Sequence, residues 1–564
     1  MMNLSRPRFG PALLILPVLV FIIAIYVLPL ADVLRLSVTE PEPTLSHYLR
    51  LASTPLYLRV LLNTFEIAFT ISVIALILGY PLAYLLALVP PRLAGILMIL
   101  VLVPFFTGVL VRNYAWIFML GNNGVVNVTL RALGLTDAPV RLIYNRTGVI
   151  IASVHVLLPY MVLILFNTMR ALDPRLMVAA GSLRAARFSA FRRVFLPLTY
   201  PAIGSAFILV FVTALAFFIT PAMLGSARET MIAMLIEQQV GLLNWGFASA
   251  LAAVLLATSF ALLFFMQRAF GGFSMVAEKS TGIVRTHKVR DWRITAILDR
   301  VMEPFWPALP YLIGALTLVF LALPILIVLP LSLNGTSFLQ FPPKALSFRW
   351  YAAILSDPSW MEAFRNSLIV GLMTVVFTMA LAIPAALAIT RSSARWVSAV
   401  YAVIMSPLVL PSIIIAISVF FLLSRIGMNG TYVGLALGHT IGALPIALVV
   451  LIAALRGFDA NLDRAGASLR AGPLARLRRV TLPIIAPSAI TAAFFAFLHS
   501  FDEVMITIFV AGIDTRTLPK RMWDSVQEIS PIIPAVSSLL VLLSVAVVLV
   551  PFILGQRAKR GPTR

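Results

Sequence analysis

Long runs of apolar residues, separated by shorter polar stretches, dominate the pattern of this chain. The runs at 11–29, 67–89 and 312–331 contain no charged residue. A helix of about 20 apolar residues crosses a hydrocarbon core of roughly 30 Å. The pattern therefore predicts an all-α integral membrane protein. About twelve transmembrane helices are expected, over residues 11–33, 60–89, 95–120, 148–169, 199–222, 246–266, 309–333, 365–390, 396–424, 432–455, 485–513 and 532–555.

The first apolar run follows Arg6 and Arg8 and shares this feature with signal peptides. The apolar core of such a peptide has about 7–15 residues, followed by small residues at a cleavage site. The run at 11–29 is longer, and no small-residue site follows it. We therefore expect it to be retained as the first span.

The distribution of charged residues predicts how the chain is oriented in the membrane. Charged residues make up 11% of the sequence and the net charge is +22, which in a soluble protein would suggest nucleic-acid binding. With the N-terminus inside, however, the cytoplasmic loops hold 28 of the 43 Lys and Arg residues. Basic loops favour the cytoplasmic side, so we expect both termini in the cytoplasm and no nucleic-acid partner. The absence of cysteine excludes thiol chemistry, disulfides and thiolate metal sites.

An internal repeat connects two polar loops. Residues 172–201 and 458–487 are identical at thirteen of thirty positions at a constant offset of 286. Further matches lie upstream at an offset of 303, where Asn63 corresponds to Asn366 and Pro81 to Pro384. Both halves are expected to start in the cytoplasm, so the repeat is parallel, with its axis along the membrane normal.

The repeat predicts two six-helix halves. The first half covers residues 1–266, with its polar loop at 170–198. The second half covers residues 309–564, with its loop at 456–484. The stretch at 267–308 is polar and mixed in charge, and we interpret it as a cytoplasmic linker that joins two fused halves.

The repeated loop is too charged to span a membrane, but its apolar residues have helical spacing. Leu176, Ala179, Ala180 and Leu183 fall on one face of a short helix, and Pro197 is expected to end that helix and begin the next span. One such helix in each half suits a dimeric partner, with each helix docking in a groove of one subunit. The alternative is a basic loop that only sets topology.

This loop resembles the EAA loop of bacterial ABC-importer permeases. The endings VFLP (194–197) and VTLP (480–483) agree with that family, whereas the family glutamate falls on Val178 and Arg464 and the family glycine falls on two arginines. The resemblance implies docking of an ATPase on both loops, without a glutamate contact. The implied coupling residues are Ala179, Ser182, Leu183, Arg184, Ala465, Ser468, Leu469 and Arg470.

The resemblance extends over most of the chain. The segments LVRNYAWIFMLGNNGVVN (110–127) and HVLLPYMVL (155–163) resemble the first permease of spermidine/putrescine-type importers, and SFDEVMITIFVAG (500–512) and TLPKRMWDSV (517–526) resemble the second. The resemblance implies a multi-pass translocation subunit in the bacterial inner membrane. It also implies two copies of a cytoplasmic ABC ATPase, a periplasmic substrate-binding protein and a small cationic substrate.

Motifs of catalysis were not found in the sequence. It contains no GxxxxGK[ST] phosphate loop, no HExxH and no GxSxG. We therefore expect no enzyme, no metal site and no cofactor in this chain, with ATP and Mg bound by the partner ATPase. His155, His439 and His499 are far apart in sequence, and we interpret each as a hydrogen-bonded packing residue rather than a ligand.

Two acidic residues stand out because they fall inside a predicted span. An α-helix rises 1.5 Å per residue, which places Asp502 and Glu503 about 24 Å from the cytoplasmic start of that span. Ala216 and Phe217 occupy the equivalent positions of the first half, so the fold does not require acids there. Intramembrane carboxylates usually line a hydrated path, which predicts a cation pathway. The alternative is an ion pair with an arginine of another span.

Other polar and aromatic residues are weaker pathway predictions. Glu237 precedes the sixth span and is expected near the outer entrance. Tyr114 and Trp116, like Trp245 and Trp523, are expected near the outer interface, where aromatic belts are common; contact with an ammonium group is the alternative. Glu66 follows Asn63 at the spacing of a capping box, and either capping or substrate contact would explain it.

Two other functions fit the same pattern. One is an ABC permease for a different solute, such as iron(III) or an amino-acid derivative. The other is a twelve-span secondary transporter driven by an ion gradient, which the paired EAA-like loops disfavour. A neighbouring ATPase gene would separate these two classes.

Overall fold

The architecture is helical throughout the part of the chain that can be described. A computed structural model describes residues 10–270, 293–337, 341–392, 395–525 and 531–559. Within these ranges the regular elements are helices, with one isolated bridge between Asn334 and Leu346. This confirms the all-α fold class. Part of the predicted linker at 267–308 lies outside the described residues.

In the first part of the chain the α-helices are α1 (Gly10–Ile22), α2 (Leu28–Thr39), α3 (Ser46–Ser53), α4 (Pro55–Leu88), α5 (Pro91–Phe106), α6 (Val109–Leu120), α7 (Val125–Ala132), α8 (Arg146–Ala171), α9 (Arg175–Ser182), α10 (Arg187–Ala190), α11 (Leu196–Leu215), α12 (Ile219–Leu224), α13 (Ile232–Gly241) and α14 (Trp245–Phe270). The second part contains α15 (Arg293–Met302), α16 (Leu309–Ser332), α17 (Arg349–Ser356), α18 (Pro358–Arg391), α19 (Arg395–Met405), α20 (Ser412–Arg425), α21 (Tyr432–Arg456), α22 (Ala460–Ser468), α23 (Pro473–Arg476), α24 (Leu482–Asp502), α25 (Met505–Val510), α26 (Leu518–Asp524) and α27 (Ile532–Lys559).

Most of the predicted spans are single long helices. Among the described residues, nine helices are long and apolar enough to cross a membrane, and two bent pairs raise this number to eleven. The described apolar part of α27, Ile532–Ala546, is shorter and falls where the twelfth span was predicted. About twelve spans therefore remain the description that fits the chain.

The third and ninth predicted spans are bent rather than straight. The segments Pro91–Phe106 and Val109–Ala132 meet at 97°, and Trp396–Leu408 and Ser412–Arg425 meet at 101°. Proline lies at or beside each bend, at Pro104 and at Pro407 and Pro411. Proline lacks an N–H donor and its ring clashes with the preceding turn, so each span breaks there.

The prediction that Pro197 ends the loop helix was wrong. The next helix already begins at Arg187, and the π-helical turn Phe191–Phe195 leads directly into α11. The π-helical turn Leu477–Thr481 stands in the same place before Pro483. A wider turn leaves room for the proline ring and uses other carbonyl partners than the i→i−4 pattern, so the helix continues through the proline.

Contacts group the described residues into two compact units. Unit 1 takes its described residues from Met1–Ser53, Ile236–Val254 and Ile354–Gln527. Unit 2 takes its described residues from Thr54–Leu235, Leu255–Ala353 and Glu528–Arg564. The packing units therefore differ in composition from the sequence halves 1–266 and 309–564, which stay a prediction about the repeat.

Each unit contains spans from both sequence halves. In unit 1, α1 packs against α18 and α2 packs against α20. In unit 2, α16 packs against α4 and α27 packs against α16 and α5. The first span of each sequence half therefore packs with helices of the other half.

The repeat is visible as equivalent hydrogen bonds inside each unit. In unit 2, Asn63 Nδ2 donates to the carbonyl oxygens of Arg228 (3.2 Å) and Thr230 (3.1 Å). In unit 1, Asn366 Nδ2 donates to those of Asp514 (3.0 Å) and Arg516 (3.0 Å). The donors are 303 residues apart and the acceptors 286, the two offsets of the sequence repeat.

Candidate functional site

The span that contains the two predicted acids breaks where they lie. Helix α24 ends at Asp502, Glu503 is in an extended conformation, and α25 begins at Met505. The span of unit 2 at the equivalent place also breaks, between Leu215 and Ile219. Irregular backbone inside a membrane is tolerated where it is buried in protein or lines a cavity. The break therefore belongs to both repeats, whereas the acids belong to one.

Glu503 has a structural contact as well as a charge. Its Oε1 accepts a hydrogen bond of 2.8 Å from the backbone N–H of Ile506, in the first turn of α25. The hydroxyl of Thr507 donates to the Glu503 carbonyl oxygen at 2.9 Å. Asp502 and Glu503 are both half-buried. The carboxylate of Glu503 thus caps α25.

A buried histidine connects this break to a second helix. His439 on α21 is fully buried, with Nδ1 2.8 Å from Ser500 Oγ and Nε2 3.1 Å from Thr507 Oγ1. A neutral imidazole donates through one ring nitrogen and accepts through the other, so both ring nitrogens of His439 have a hydroxyl partner. This confirms His439 as a hydrogen-bonded packing residue.

The same network reaches a third helix and was missed in the sequence. Ser500 Oγ lies 3.2 Å from Thr374 Oγ1 on α18, and both residues are buried. Hydroxyl residues are common in apolar helices, so nothing in the pattern distinguished these two. The available signal was the position of Ser500 two residues before Asp502 in the sequence; Thr374 had no such neighbour. The result is a buried polar path inside unit 1 next to Glu503.

Tyr114 and Trp116 lie on α6 and are buried inside unit 2, at 3% and 4% exposure. The Trp116 ring contacts those of His155 (5.6 Å between centroids) and Phe320 (5.3 Å). His155 Nε2 lies 3.1 Å from the carbonyl oxygen of Leu321, as expected for a packing residue. The outer-interface explanation of these two aromatics was wrong, because the bent helix carries them into the protein.

Two predicted carboxylates lie elsewhere. Glu237 is half-buried on α13, outside the candidate spans, and this burial raises the pKa of its carboxyl group. Glu66 lies within α4, which begins at Pro55, so the capping-box interpretation was wrong. Its carboxylate instead pairs with Arg146 at 2.8 Å between Oε1 and Nη2.

The two repeated loops fold alike. Short helices α9 and α22 confirm the helical spacing of the sequence, and all eight predicted coupling residues are exposed. Leu183 and Leu469 keep 84% and 83% of their accessible surface. Each loop thus presents an apolar side chain to its surroundings at the same place.

Each short helix ends in the same left-handed turn. Arg184 and Arg470 both have φ of 59°. The N–H groups of Ala185 and Ala471 donate 3.1 Å bonds back to Ala180 and Gly466, which is the Schellman pattern, normally completed by glycine. These arginines occupy the positions of the EAA-family glycine, so the turn has kept the glycine conformation with a different residue.

Comparison with known proteins agrees with this geometry. A family described as "Binding-protein-dependent transport system inner membrane component" matches residues 378–560. The spermidine/putrescine transport system permease protein PotB of Escherichia coli (strain K12) is 36% identical over 213 residues, which cover 38% of this chain and 77% of that protein. PotC of the same strain is 25% identical over 245 residues, 43% of this chain and 92% of that protein.

A relative of similar length covers both halves. The probable ABC transporter permease protein y4fN of Sinorhizobium fredii (strain NBRC 101917 / NGR234) is 26% identical over 485 residues, 84% of this chain and 83% of that protein. The multi-span helical fold and the duplicated loops agree with these matches. The chain belongs to the binding-protein-dependent transport system inner membrane component family, as a fused permease of an ABC importer in the inner membrane.

Proposed function

We propose that this chain is the translocation subunit of an ATP-driven importer for small organic cations of the polyamine class. Two similar proteins carry the name spermidine/putrescine permease, which supports this substrate class. The observation that carries it is the pair Asp502 and Glu503 at the helix break between α24 and α25.

The charges of Asp502 and Glu503 carry a free-energy cost inside a membrane. A carboxylate inside a membrane costs several kcal/mol unless water or a counter-charge accompanies it. The hydroxyls of Ser500 and Thr507 lie beside the break. Water and a passing ammonium group would offset the cost of the two charges. The equivalent break in unit 2 has Ala216 and Phe217, so a break of this kind forms without acids, and the two charges support a role with the cargo in addition to the capping of α25.

The energy source in this proposal is a separate protein. Two copies of a cytoplasmic ABC ATPase, which bind ATP and Mg, would dock on the loops at 170–198 and 456–484. The exposure of Leu183 and Leu469 on equivalent helices supports two matched docking sites. A periplasmic binding protein would deliver the substrate, and both termini would lie in the cytoplasm.

Three further residues stay proposed members of the pathway. Tyr114 and Trp116 offer aromatic faces to an ammonium group, and the indole N–H of Trp116 has no hydrogen-bond partner among the described residues. Glu237 offers a carboxylate near the start of α14.

The test uses the complex reconstituted in liposomes with its ATPase and binding protein. Asp502→Asn and Glu503→Gln should each lower uptake of labelled putrescine or spermidine by about ten-fold, the effect of one charge-assisted hydrogen bond. In the Glu503→Gln variant the amide oxygen can still accept the Ile506 N–H bond, so capping is retained. Asp514→Asn, at an exposed position of the same unit, is the matched control.

Membrane abundance is measured with uptake. Normal polyamine uptake in both variants would refute the cation pathway. Loss of folded protein would indicate a structural ion pair, since breaking such a pair strands a buried charge. Uptake of ferric ion but not of polyamine by the unmodified complex would favour the iron(III) alternative.

A further inference from the structure

The first repeated loop is held by a segment outside either half of the repeat. Glu303, just after α15 in the linker region, places both carboxylate oxygens against the start of α10. Oε1 accepts from the Arg187 N–H at 2.7 Å, and Oε2 accepts from the Phe188 N–H at 2.8 Å. The linker therefore binds the backbone of the loop where the next membrane helix begins.

A second acid of the linker binds the same helix through a side chain. Asp299 on α15 accepts two bonds of 2.7 Å from Arg192, one from Nε and one from Nη2. The two side chains keep only 14% and 11% of their accessible surface. A paired contact of this geometry, away from solvent, is stronger and more directional than an exposed ion pair.

An aromatic contact adds to the two acids. Trp306 packs its ring against Phe191 at 4.3 Å and Phe188 at 4.9 Å between centroids. Helix α15 also forms one wall of a groove whose other wall carries Ala179, Leu183 and Arg184. The linker thus shapes the surface that holds three of the predicted coupling residues.

The second loop has a brace within its own sequence, and Arg391 at the end of α18 lies 4.0 Å from the Asp463 carboxylate of that brace. Arg476 Nη1 bonds to the carboxylate and the carbonyl oxygen of Asp463, both at 3.2 Å, and so ties α22 to α23. At the offset of 286, the first loop has Met177 and Ala190 in place of these two residues. Methionine and alanine cannot form an ion pair, so the first loop lacks this brace in its own sequence.

We propose that Asp299 and Glu303 are positioning residues that brace the first cytoplasmic loop, as the Asp463–Arg476 pair braces the second. The linker is then part of the coupling machinery and not only a connection between halves. The coupling role rests on the proposed function, since it needs an ATPase that acts on both loops. The brace itself needs only this chain.

A single introduced cysteine reports on each loop, because the chain has no cysteine of its own. A nitroxide label on Leu183→Cys reports the first loop and one on Leu469→Cys reports the second. Asp299→Asn and Glu303→Gln should increase label mobility at 183 and leave mobility at 469 unchanged. Asp463→Asn should have the reverse effect.

Coupling is measured on the complete complex without labels. Asp299→Asn should lower the amount of substrate transported per ATP hydrolysed by about five-fold, the lower end of typical coupling between sites. Membrane abundance and copurification with the ATPase should not change. The exchanged pair Asp299→Arg with Arg192→Asp should restore much of the transport per ATP.

The outcomes separate this inference from the proposed function. Unchanged mobility at position 183 in both linker variants would overturn the brace. Increased mobility with unchanged transport per ATP would overturn the positioning role. Absence of ATP-driven uptake by the unmodified complex would refute the proposed function alone, and the mobility measurements would still decide whether the linker braces the loop.

Discussion

Asn366 offers a direct test of how the repeat stabilises each unit. The side chain is 2% exposed and takes part in three hydrogen bonds. Its Nδ2 donates to the carbonyl oxygens of Asp514 and Arg516 at 3.0 Å each, and its Oδ1 accepts from the Tyr432 hydroxyl at 2.7 Å. Replacement by alanine removes all three bonds and leaves two carbonyl groups without this donor.

The expected size follows from these contacts. Each lost bond contributes about 1 kcal/mol net, and a buried partner left without a bond costs about 1–3 kcal/mol. The Tyr432 hydroxyl also lies 3.4 Å from the Asp514 carbonyl oxygen, which recovers part of the loss. We expect Asn366→Ala to destabilise unit 1 by about 3 kcal/mol and Tyr432→Phe by about 1 kcal/mol.

The repeat supplies a matched control. Asn63 makes the two equivalent carbonyl bonds in unit 2 and is only half-buried. Water can therefore replace part of the hydrogen bonding that Asn63→Ala removes, and we expect the free energy of unfolding to fall by about 1–2 kcal/mol. The measurement is the midpoint of SDS-driven unfolding of the purified chain. A ranking in which Asn63→Ala costs more than Asn366→Ala, or in which Asn366→Ala equals Tyr432→Phe, would refute this reasoning.

Three further predictions concern single positions. Arg470→Gly should raise stability by about 0.5–1 kcal/mol, because glycine has no side-chain clash at a φ of 59°; a lower unfolding midpoint would contradict this. Gly442→Ala should destabilise the folded chain by about 1–3 kcal/mol, since the added Cβ would lie 2.8 Å from His499 Cε1. In the double variant, His499→Ala should remove most of that loss of stability. Hydrogen bonding from Arg192 lowers the pKa of Asp299 below its usual 3.8, so the brace is present above pH 3.8 and is lost as the pH falls through the lowered pKa. Label mobility at Leu183→Cys should therefore stay constant from pH 8 to pH 5, and a transition inside that window would contradict the assignment.

Much of this architecture follows from local sequence. The apolar runs determine helices because a membrane leaves backbone groups no other partner than their own chain. The duplicated loop at offset 286 indicated two equivalent helices, and both are present with the same left-handed end. The two acids of the eleventh span were recognisable because charge is rare and costly in an apolar run.

Other features depend on which segments meet in three dimensions. The hydrophobic pattern of a span describes it as one straight helix. It therefore could not show that α24 stops at Asp502 or that α6 turns and buries Trp116. The loss of a helical hydrogen bond at such a break must be offset by neighbours that lie far away in sequence. Those neighbours are invisible until the chain has folded.

The linker shows this limit most clearly. By itself the sequence of this chain determined a helical membrane protein with two repeated loops, since apolar length, charge bias and duplicated motifs are properties of neighbouring residues. Only the tertiary structure decided that Asp299 and Glu303 bind the first loop and that the packing units exchange spans between sequence halves. Mixed charge in a linker is compatible with many partners, and the choice among them is made by distances that arise only when helices pack.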